Sequence, residues 1–563
     1  MRFNIFLLTL VSLISCSSPQ SDTPDTIIYN ADIYTAANQT ATAIAITNDK
    51  ITTLGTDEEI LALSTPTSTK IDAKGQFVMP GFIESHGHFL GLGQSLLNLN
   101  FIKDTSWQAI VKKVEEKAKT AAPGEWIYGR GWHQEKWTVQ PDSYYSGYPI
   151  HTELSEVSPD NPVLLVHASG HSLYANQKAM NIAGVTVETA DPVGGKIIKQ
   201  NNQPTGVFEE NAMLNIAESY NKYRSELDQT KVEKEWYAAI EAAQKECLKK
   251  GVTSFQDAGS KFSDLDKYEK LALSDSLRLR LWVMVRHSAA QMKGKLDKYR
   301  KVGLANNHYT CRAVKTEVDG ALGAHGAWLL EPYADKANFT GQNTTDIEEV
   351  KRIAQMADDH NMQLCVHAIG DRANKEVLDI IESHHDTSSN KRWRVEHAQH
   401  LNPTDIQRFA ETGAIASMQT IHCTSDAPFV VKRLGVLRAK IGAYAWKALL
   451  NAGVTIINGT DTPVEDVDPL ENYYAAVTRT RQDNGMEFFV ENKMSREEAL
   501  RSYTIDAAYG AFEEDIKGSL EPGKLADIVM LDKNLLTCGD MELLDAQVLM
   551  TMVGGEIFYN RDQ

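Results

Sequence analysis

The sequence has few cysteines and far fewer basic than acidic residues. Its six cysteines include no Cys-x-x-Cys pair, which excludes a zinc ribbon and a thioredoxin-type redox motif. The formal net charge of −18 argues against nucleic acid or an anionic lipid surface as the main partner. Beyond the first residues, no stretch is long and apolar enough to cross a bilayer. With 42% hydrophobic content, the 563 residues can form a large core and more than one domain.

The only long apolar run is at the start, in residues 1–16, MRFNIFLLTLVSLISC. One arginine precedes a run too short to span a bilayer stably, which is typical of a secretory signal. The last four residues resemble the lipobox of bacterial lipoproteins, in which the cysteine, here Cys16, is cut free and acylated. An ordinary signal peptide that contains a cysteine is the alternative. Residues 17–26, rich in Ser, Pro and Asp, are predicted to be a flexible linker. The five remaining cysteines show no evident disulfide framework.

Both ends of the remaining chain have the pattern of short β-strands. Residues 27–79 contain alternating apolar and polar runs separated by turn residues, and residues 518–563 have a similar texture. Because chain termini often lie close together, the two segments can pair. We therefore predict a small β-sandwich built from both termini, with residues 80–517 forming the main domain.

The main domain alternates apolar β-rich runs with amphipathic helical stretches. The first run ends at His86 and His88, and seven more follow at 251–259, 279–287, 311–320, 362–371, 392–400, 414–420 and 454–461. Helices are predicted at 104–120, 344–360, 372–386, 402–412 and 495–512. Eight strands that alternate with helices pair in parallel and predict an α/β fold, a closed (β/α)8 barrel of the TIM type. Residues 121–225 interrupt this pattern after strand one and are predicted to form a subdomain inserted over the barrel mouth.

Polar residues recur where these strands end, on the face of the barrel where active sites are built. His86 and His88 alternate on an extended strand, so both imidazoles point to one side and can bind a divalent metal. Each residue alone has a simpler explanation, such as a structural histidine, a snorkelling lysine or a turn-forming aspartate. Their joint occurrence on strands 1, 4, 5, 6 and 8 is hard to explain as independent coincidences. The residues concerned are His86, His88, Lys315, His367, His397 and Asp461.

Several longer segments resemble one family. They are VMPGFIESHGHF, GHSLYANQKAM, GVTSFQDAG, VKTEVDGALGAHGAWLLEPYAD, VHAIGDRANKEVLD, RVEHAQHL, INGTDTPVEDVDPL and GSLEPGKLADIVMLD. In these segments, the chain resembles enzymes of the amidohydrolase superfamily. The resemblance is to the branch called amidohydrolase family 3, or YtcJ-like. The resemblance implies metal ligands at the four histidines, a bridging carboxylated Lys315, and Asp461 as ligand and proton shuttle. One or two divalent ions, with zinc as the first candidate, are implied. His325 departs from the family, whose members commonly carry Ser-Arg there.

Metal chemistry then predicts the mechanism. A bound divalent ion lowers the pKa of its water from about 15.7 to about 7 and polarises a substrate carbonyl. Asp461 can carry the proton to the leaving group. A neutral histidine near the carbonyl oxygen would stabilise the tetrahedral intermediate. His171 and His422, each in a polar loop near the predicted mouth, are the candidates for this role, or they hydrogen-bond locally to the backbone. Trp132 either walls an apolar subsite or packs in a core.

These features predict a metal-dependent hydrolase of C–N bonds other than ordinary peptide bonds, in a small-molecule amide, N-formyl, N-acyl or cyclic amide. A heterocycle deaminase uses the same ion and aspartate and is the first alternative. The second alternative is a lipid-anchored binding protein whose barrel has lost catalysis. An incomplete set of metal ligands would favour this alternative. A homodimer is compatible with the sequence. Ser17, rather than Asp, after Cys16 predicts a periplasm-facing lipoprotein of the outer membrane.

Replacing the candidate acylation site tests this location. Cys16→Ala is expected to abolish labelling by a fatty-acid probe and to release the protein from the membrane fraction, because each buried methylene of an acyl chain contributes about 0.8 kcal/mol to anchoring. Cys538→Ala, which removes a thiol far from the amino terminus, is the matched control and should keep both properties. Unchanged labelling and fractionation of the Cys16→Ala protein would refute lipidation.

Overall fold

The computed structural model describes residues 23–134, 137–139, 141, 144–386 and 390–561. The predicted signal peptide, with Cys16, and residues 17–22 of the predicted linker lie outside the described residues. Within the described ranges, no helix combines the length and the apolarity needed to cross a membrane.

Eight parallel strands form a nearly closed barrel at the centre of the protein, which confirms the predicted fold class. Each strand pairs in parallel with the next one along the chain. In chain order they are β1 (Phe82–Gly87), β2 (Val252–Ser260), β3 (Arg280–Val285), β4 (Tyr309–Glu317), β5 (Gln363–Ala368), β6 (Arg394–His397), β7 (Ile415–Met418) and β8 (Ile456–Asn458).

Alternation along each strand divides its side chains between two environments. On β5, Leu364 and Val366 belong to the large core between barrel and helices, whereas Cys365 packs inside the barrel. On β4, Val314 belongs to the outer core and Ala313 to the inner cluster. Lys315, two residues after Ala313, therefore points into the barrel, above an apolar floor.

Helices flank the strands on the outside, and their boundaries follow from local sequence. The helix Pro403–Thr412 begins after Asn402, whose side chain accepts a hydrogen bond from the Thr404 amide, and ends at Gly413 with φ of 67°. The larger helices around the barrel are Phe89–Leu97, Gln229–Lys249, Phe262–Leu273, Ile347–Asp359, Asp371–Ser383, Pro403–Thr412, Thr420–Leu434, Val436–Gly442, Trp446–Asn451 and Pro469–Thr478. The single helix predicted over 495–512 is instead two, Arg496–Ser502 and Ile505–Gly510, because Thr504 between them has non-helical dihedral angles.

Two further sheets lie at the chain ends. A four-stranded sheet comes from the amino-terminal part alone, in the order Lys50–Gly55, Ala43–Thr47, Thr26–Tyr29 and Thr69–Asp72. A five-stranded sheet combines both ends, in the order Asp32–Ile33, Phe77–Pro80, Ile528–Leu531, Val548–Val553 and Glu556–Asn560. The two sheets share one hydrophobic cluster. A buried ion pair, Arg280 Nε to Asp527 Oδ2 at 2.7 Å, connects β3 to this region.

A six-stranded sheet occupies the interruption after β1. Its order is Gly195–Gln200, Gln203–Glu210, Ser172–Ala175, Val163–His167, Ile127–Trp132 and Leu99–Asn100. The helices Trp107–Ala118, Thr152–Val157, Gln177–Ile182 and Leu214–Glu226 accompany it. The sheet begins at Leu99, earlier than residue 121, where the predicted insertion starts. The helix predicted over 104–120 belongs to it, since Trp107, Ile110 and Val114 lie in its core.

Candidate metal centre

The loop after β8 is fastened to the end of β1. The buried Glu84 carboxylate accepts hydrogen bonds from the Thr460 amide at 2.8 Å and from the Thr460 hydroxyl at 2.9 Å. The Asp461 amide donates to the His86 carbonyl at 2.7 Å. Gly459 is needed here, because a Cβ at this position would lie 2.4 Å from Glu84 Oε1. These contacts bring the carboxylate of Asp461 beside the two histidines of β1.

Metal-ligating atoms converge at this point. One such atom from each of His86, His397 and Asp461 lies within 4.8 Å of the others. The Nε2 atoms of His88 and His86 lie 3.2 Å and 3.6 Å from Asp461 Oδ1. The His367 ring centre is 4.4 Å from that of His397. The structure thus brings these residues together at the carboxyl ends of β1, β5, β6 and β8.

Neighbouring polar groups fix the orientation of two of these imidazoles. His86 Nδ1 forms a short contact with Glu396, and Arg394 Nε lies 2.7 Å from the same carboxylate. His397 Nδ1 faces Gln419 Oε1 at 2.6 Å. An acceptor at Nδ1 holds the proton there and leaves Nε2 with a free lone pair. Both rings are therefore prepared to ligate through Nε2.

Unsatisfied buried atoms show that the site fits a metal ion. Among the described residues, His86 Nε2, His367 Nε2 and Asp461 Oδ1 are buried and have no hydrogen-bond partner. Buried polar atoms normally have a partner, and a cation would satisfy all three at once. Imidazole nitrogens with a carboxylate oxygen are a typical zinc donor set.

Burial sets the protonation states that metal binding requires. It lowers the pKa values of His86, His367 and His397, so these rings are neutral at pH 7. Burial alone would raise the pKa of Asp461, but the nearby imidazoles of His88, His86 and His397 outweigh burial, lower the pKa and keep the carboxylate ionised. Burial also lowers the pKa of the Lys315 amine.

A cavity of about 530 Å³ opens in front of the metal centre, and all six predicted ligands line it. Its wall also includes apolar side chains, among them Leu322, Ile369 and Phe429. His171 and His422 line it as well, from the inserted sheet and from the first turn of Thr420–Leu434. His422 is therefore helical, in place of the polar loop expected from the sequence.

His171 and His422 have different hydrogen-bond partners. His171 Nδ1 lies 2.8 Å from Glu210 Oε2; burial opposes its protonation, but Glu210 outweighs burial and raises the His171 pKa to about 9. The ring is thus cationic at pH 7, not neutral as expected. His422 Nδ1 lies 3.0 Å from Gln399 Nε2, which can only donate, so the proton of His422 is on Nε2.

Trp132 does not reach the cavity, which corrects the expectation that it walls a substrate subsite. Its indole is fully buried in the core of the six-stranded sheet, and Nε1 donates to the Leu165 carbonyl at 2.9 Å. His325, the position that departs from the family pattern, pairs with Asp335 at 3.1 Å and does not line the cavity.

Comparison with known sequences decides the family. A sequence model of the amidohydrolase family matches residues 69–559, which is most of the chain. The protein belongs to the amidohydrolase family.

Individual relatives agree with this family membership. YtcJ of Bacillus subtilis (strain 168), which its name describes as an amidohydrolase, is 31% identical over 504 residues, 88% of this chain and 91% of YtcJ. N-substituted formamide deformylase of Arthrobacter pascens is 26% identical over 555 residues, 95% of this chain and 98% of that enzyme. The crystal structure of an uncharacterized metal-dependent hydrolase from Pyrococcus horikoshii OT3 aligns at a TM-score of 0.73 and 26% identity, covering 92% and 99% of the two chains.

In this amidohydrolase, sequence reasoning missed the residues that support the candidate ligands. Glu84, Glu396, Gln419 and Asp319 were not among the predicted site residues. Asp319 accepts hydrogen bonds from the amides of Trp328, Ile369 and Gly370, and so joins the loop after β4 to the end of β5. A signal for Glu396 exists: it is a charge in the short strand RVEH, two residues after Arg394. A charged residue inside such a short strand needs a buried partner, so the sequence RVEH already indicates that Glu396 interacts with other polar groups.

Removing single imidazoles tests the metal centre of this amidohydrolase. His367→Ala and His88→Ala should each lower metal content and activity while the barrel stays folded. Loss of groups that only support ligands typically costs about 10–100-fold in metal affinity, so loss of a ligand should cost at least as much. Metal per folded molecule is measured by elemental mass spectrometry, with circular dichroism for the fold. His400→Ala, which removes a buried imidazole outside the cavity, is the control. Full activity in exhaustively metal-free wild-type protein would refute the assignment.

Proposed function

We propose that this amidohydrolase hydrolyses a C–N bond other than an ordinary peptide bond, in an N-formyl, N-acyl or cyclic amide. The observation that carries the proposal is the convergence of His86, His397 and Asp461 within 4.8 Å at the floor of one cavity. Similarity to N-substituted formamide deformylase along nearly the whole chain supports an amide or formamide substrate.

The ligands proposed for the divalent ion are His86, His88, His367, His397 and Asp461, with Lys315 beside them. When bound there, the ion supplies an acidic water molecule and a Lewis acid for the substrate carbonyl. Asp461 is ionised, and His88 Nε2 lies 3.2 Å from its Oδ1. Its carboxylate can therefore take a proton from water and give it to the leaving nitrogen, which must be protonated to depart.

His422 and His171 are placed to stabilise negative charge that develops on the carbonyl oxygen. His422 is oriented by Gln399, and its Nε2 has no hydrogen-bond partner among the described residues. It is a donor prepared before the substrate arrives, and such preorganised donors typically contribute about 10²–10³-fold to kcat. The cationic His171 adds positive charge on the side of the inserted sheet.

Asp461→Asn tests the proton-transfer role. The amide cannot accept a proton, so kcat should fall by about 10²–10⁴-fold while at least one metal ion is retained. N-formyl and N-acyl amines, cyclic amides and amino-heterocycles are assayed together, with release of formate, amine or ammonia as the readout. Asp426→Asn, which removes a cavity carboxylate bonded to the Tyr444 hydroxyl, is the control for lost charge. Turnover within a few-fold of wild type would make Asp461 a spectator, and exclusive ammonia release from heterocycles would favour a deaminase.

We propose that Lys315 carries a carbamate, whose oxygens would serve as additional ligands for one or two divalent ions. Its amine is buried inside the barrel, where a protonated form is disfavoured. The neutral nitrogen can attack carbon dioxide: an N–C bond forms, one proton leaves the nitrogen, and one C=O bond becomes a carboxylate. The product is an anion that lies beside the candidate histidine ligands and Asp461. Its added negative charge would favour the binding of a second cation.

Metal content and mass test this modification. Preparation with bicarbonate should yield two ions per chain and, in the native protein, added mass equal to one carbon dioxide. Lys315→Ala should lose an ion and regain activity with short carboxylic acids. Lys517→Ala, which removes another buried lysine, one paired with Glu513, should not change metal content. One ion per chain under every condition, with an unmodified lysine, would exclude the carbamate.

We also propose that the enzyme works at the cell envelope as a lipoprotein. This proposal rests on residues 1–16 and on Cys16 alone, and the labelling experiment described above decides it. Its failure would leave the hydrolase proposal unchanged, because the metal centre is built from residues 84–461.

A further inference from the structure

The wall of the cavity contains an arginine that forms no ion pair with any carboxylate of the described residues. Of the basic side chains in its wall away from the metal ligands, Arg286 pairs with Glu317, and His171 pairs with Glu210. Arg130 also lines the cavity, but it has no carboxylate within ion-pair distance among the described residues. A guanidinium remains protonated in proteins, so Arg130 brings a positive charge without an ion-pair partner to the substrate space.

Backbone carbonyls hold this guanidinium in place. Arg130 Nη2 donates to the Ala168 carbonyl at 3.0 Å, and Nε approaches the Pro463 carbonyl at 3.5 Å. A guanidinium has five N–H groups, and these two contacts leave the others available. Among the described residues, Nη1 has no hydrogen-bond acceptor.

The position of Arg130 relates it to the reaction centre. It belongs to the strand Ile127–Trp132 of the inserted sheet, whereas Pro463 follows Asp461 by two residues in the loop after β8. The guanidinium therefore bridges the insertion and the barrel loop that bears the candidate proton shuttle. A small molecule with its scissile bond at the metal centre would have another part within reach of this cation, because both line the same cavity.

We propose that Arg130 binds a carboxylate of the substrate, so the enzyme acts on N-formyl or N-acyl compounds that carry a free carboxylate group. This inference rests on the proposed C–N hydrolase function and names its substrate class. A carboxylate matches the planar, two-pronged geometry of a guanidinium, and it would give Arg130 an anionic partner at ion-pair distance. Apolar cavity residues such as Leu322, Ile369 and Phe429 suit a hydrophobic substituent beside that carboxylate.

Paired substrates test the inference. N-formyl-leucine and its carboxamide differ only in the charge that Arg130 would bind. Wild-type holoenzyme should prefer the carboxylate, and Arg130→Gln should lower kcat/KM for the carboxylate by about 10- to 100-fold, mainly through KM, as expected for loss of a charge-assisted hydrogen bond. The carboxamide should change little, so the preference disappears.

Arg438→Gln is the matched control. Arg438 is also held by backbone carbonyls, those of Leu434, Glu331 and Pro332, and it lies outside the cavity, so its removal should leave the preference intact. If Arg130→Gln fails to fold, Arg130→Lys is tested instead, because it keeps the charge but loses the two-pronged geometry. This variant should prefer N-formyl-leucine over its carboxamide less strongly than wild type does. Equal use of both substrates by wild type, or equal losses on both in the variant, would overturn the inference.

A binding measurement separates this inference from the proposed function. N-methylsulfonyl-leucine and its carboxamide replace the scissile amide by a sulfonamide, and their affinities are measured by calorimetry on wild-type and Arg130→Gln holoprotein. Tighter binding of the carboxylate that depends on Arg130 would support the subsite even if no C–N substrate were hydrolysed, in which case the proposed function alone fails. Carboxylate binding unchanged in Arg130→Gln would place the anion elsewhere, such as at the metal, and refute the subsite.

Discussion

The site depends on how the barrel closes between its first and last strands. The loop after β8 is held to β1 by the buried carboxylate of Glu84, which bonds Thr460 twice, and by the bond from the Asp461 amide to the His86 carbonyl. Burial raises the pKa of Glu84 to about 8, so this interaction has a free-energy cost. In return, it places the candidate proton shuttle beside two candidate ligands, with Asp461 itself at a left-handed φ of 57°.

Burial of the residues at the floor of the cavity sets their protonation and makes their unpaired polar atoms favour a cation. It keeps His86, His367 and His397, the candidate ligands, neutral, because desolvation disfavours the charged ring. The same burial makes unpaired atoms costly, so His86 Nε2 and Asp461 Oδ1 favour a cation between them. Glu396 and Arg394, inside the barrel, orient His86 from below. The floor of the cavity is thus an electrostatic arrangement built before any ligand binds.

The insertion supplies the opposite side of the cavity. It contributes His171 with its partner Glu210, and the guanidinium of Arg130, while the barrel contributes the candidate metal ligands. A Cβ would lie 2.3 Å from Glu210 Oε1 at Gly320 and 2.2 Å from it at Gly326. The two glycines therefore allow this carboxylate to pack closely against the loop after β4. The barrel and the insertion therefore both line the cavity, and they contact each other at Glu210 and Arg130.

The eight strands and their order were predictable because they depend on local information: alternation along each strand and the parallel pairing of strands that alternate with helices. The polar residues at the strand ends could be read from the sequence in the same way, but their roles as metal ligands came from the resemblance to the amidohydrolase family. The boundaries of the insertion were not, since Leu99–Asn100 becomes a strand only by pairing with Ile127–Trp132. The pairing of His86 with Glu396, 310 residues away, depended on barrel register. The burial of Trp132 and the lack of an ion-pair partner for Arg130 likewise follow from which side chains meet across long sequence separations. That information resides in tertiary packing, because no local pattern specifies which distant group lies nearby.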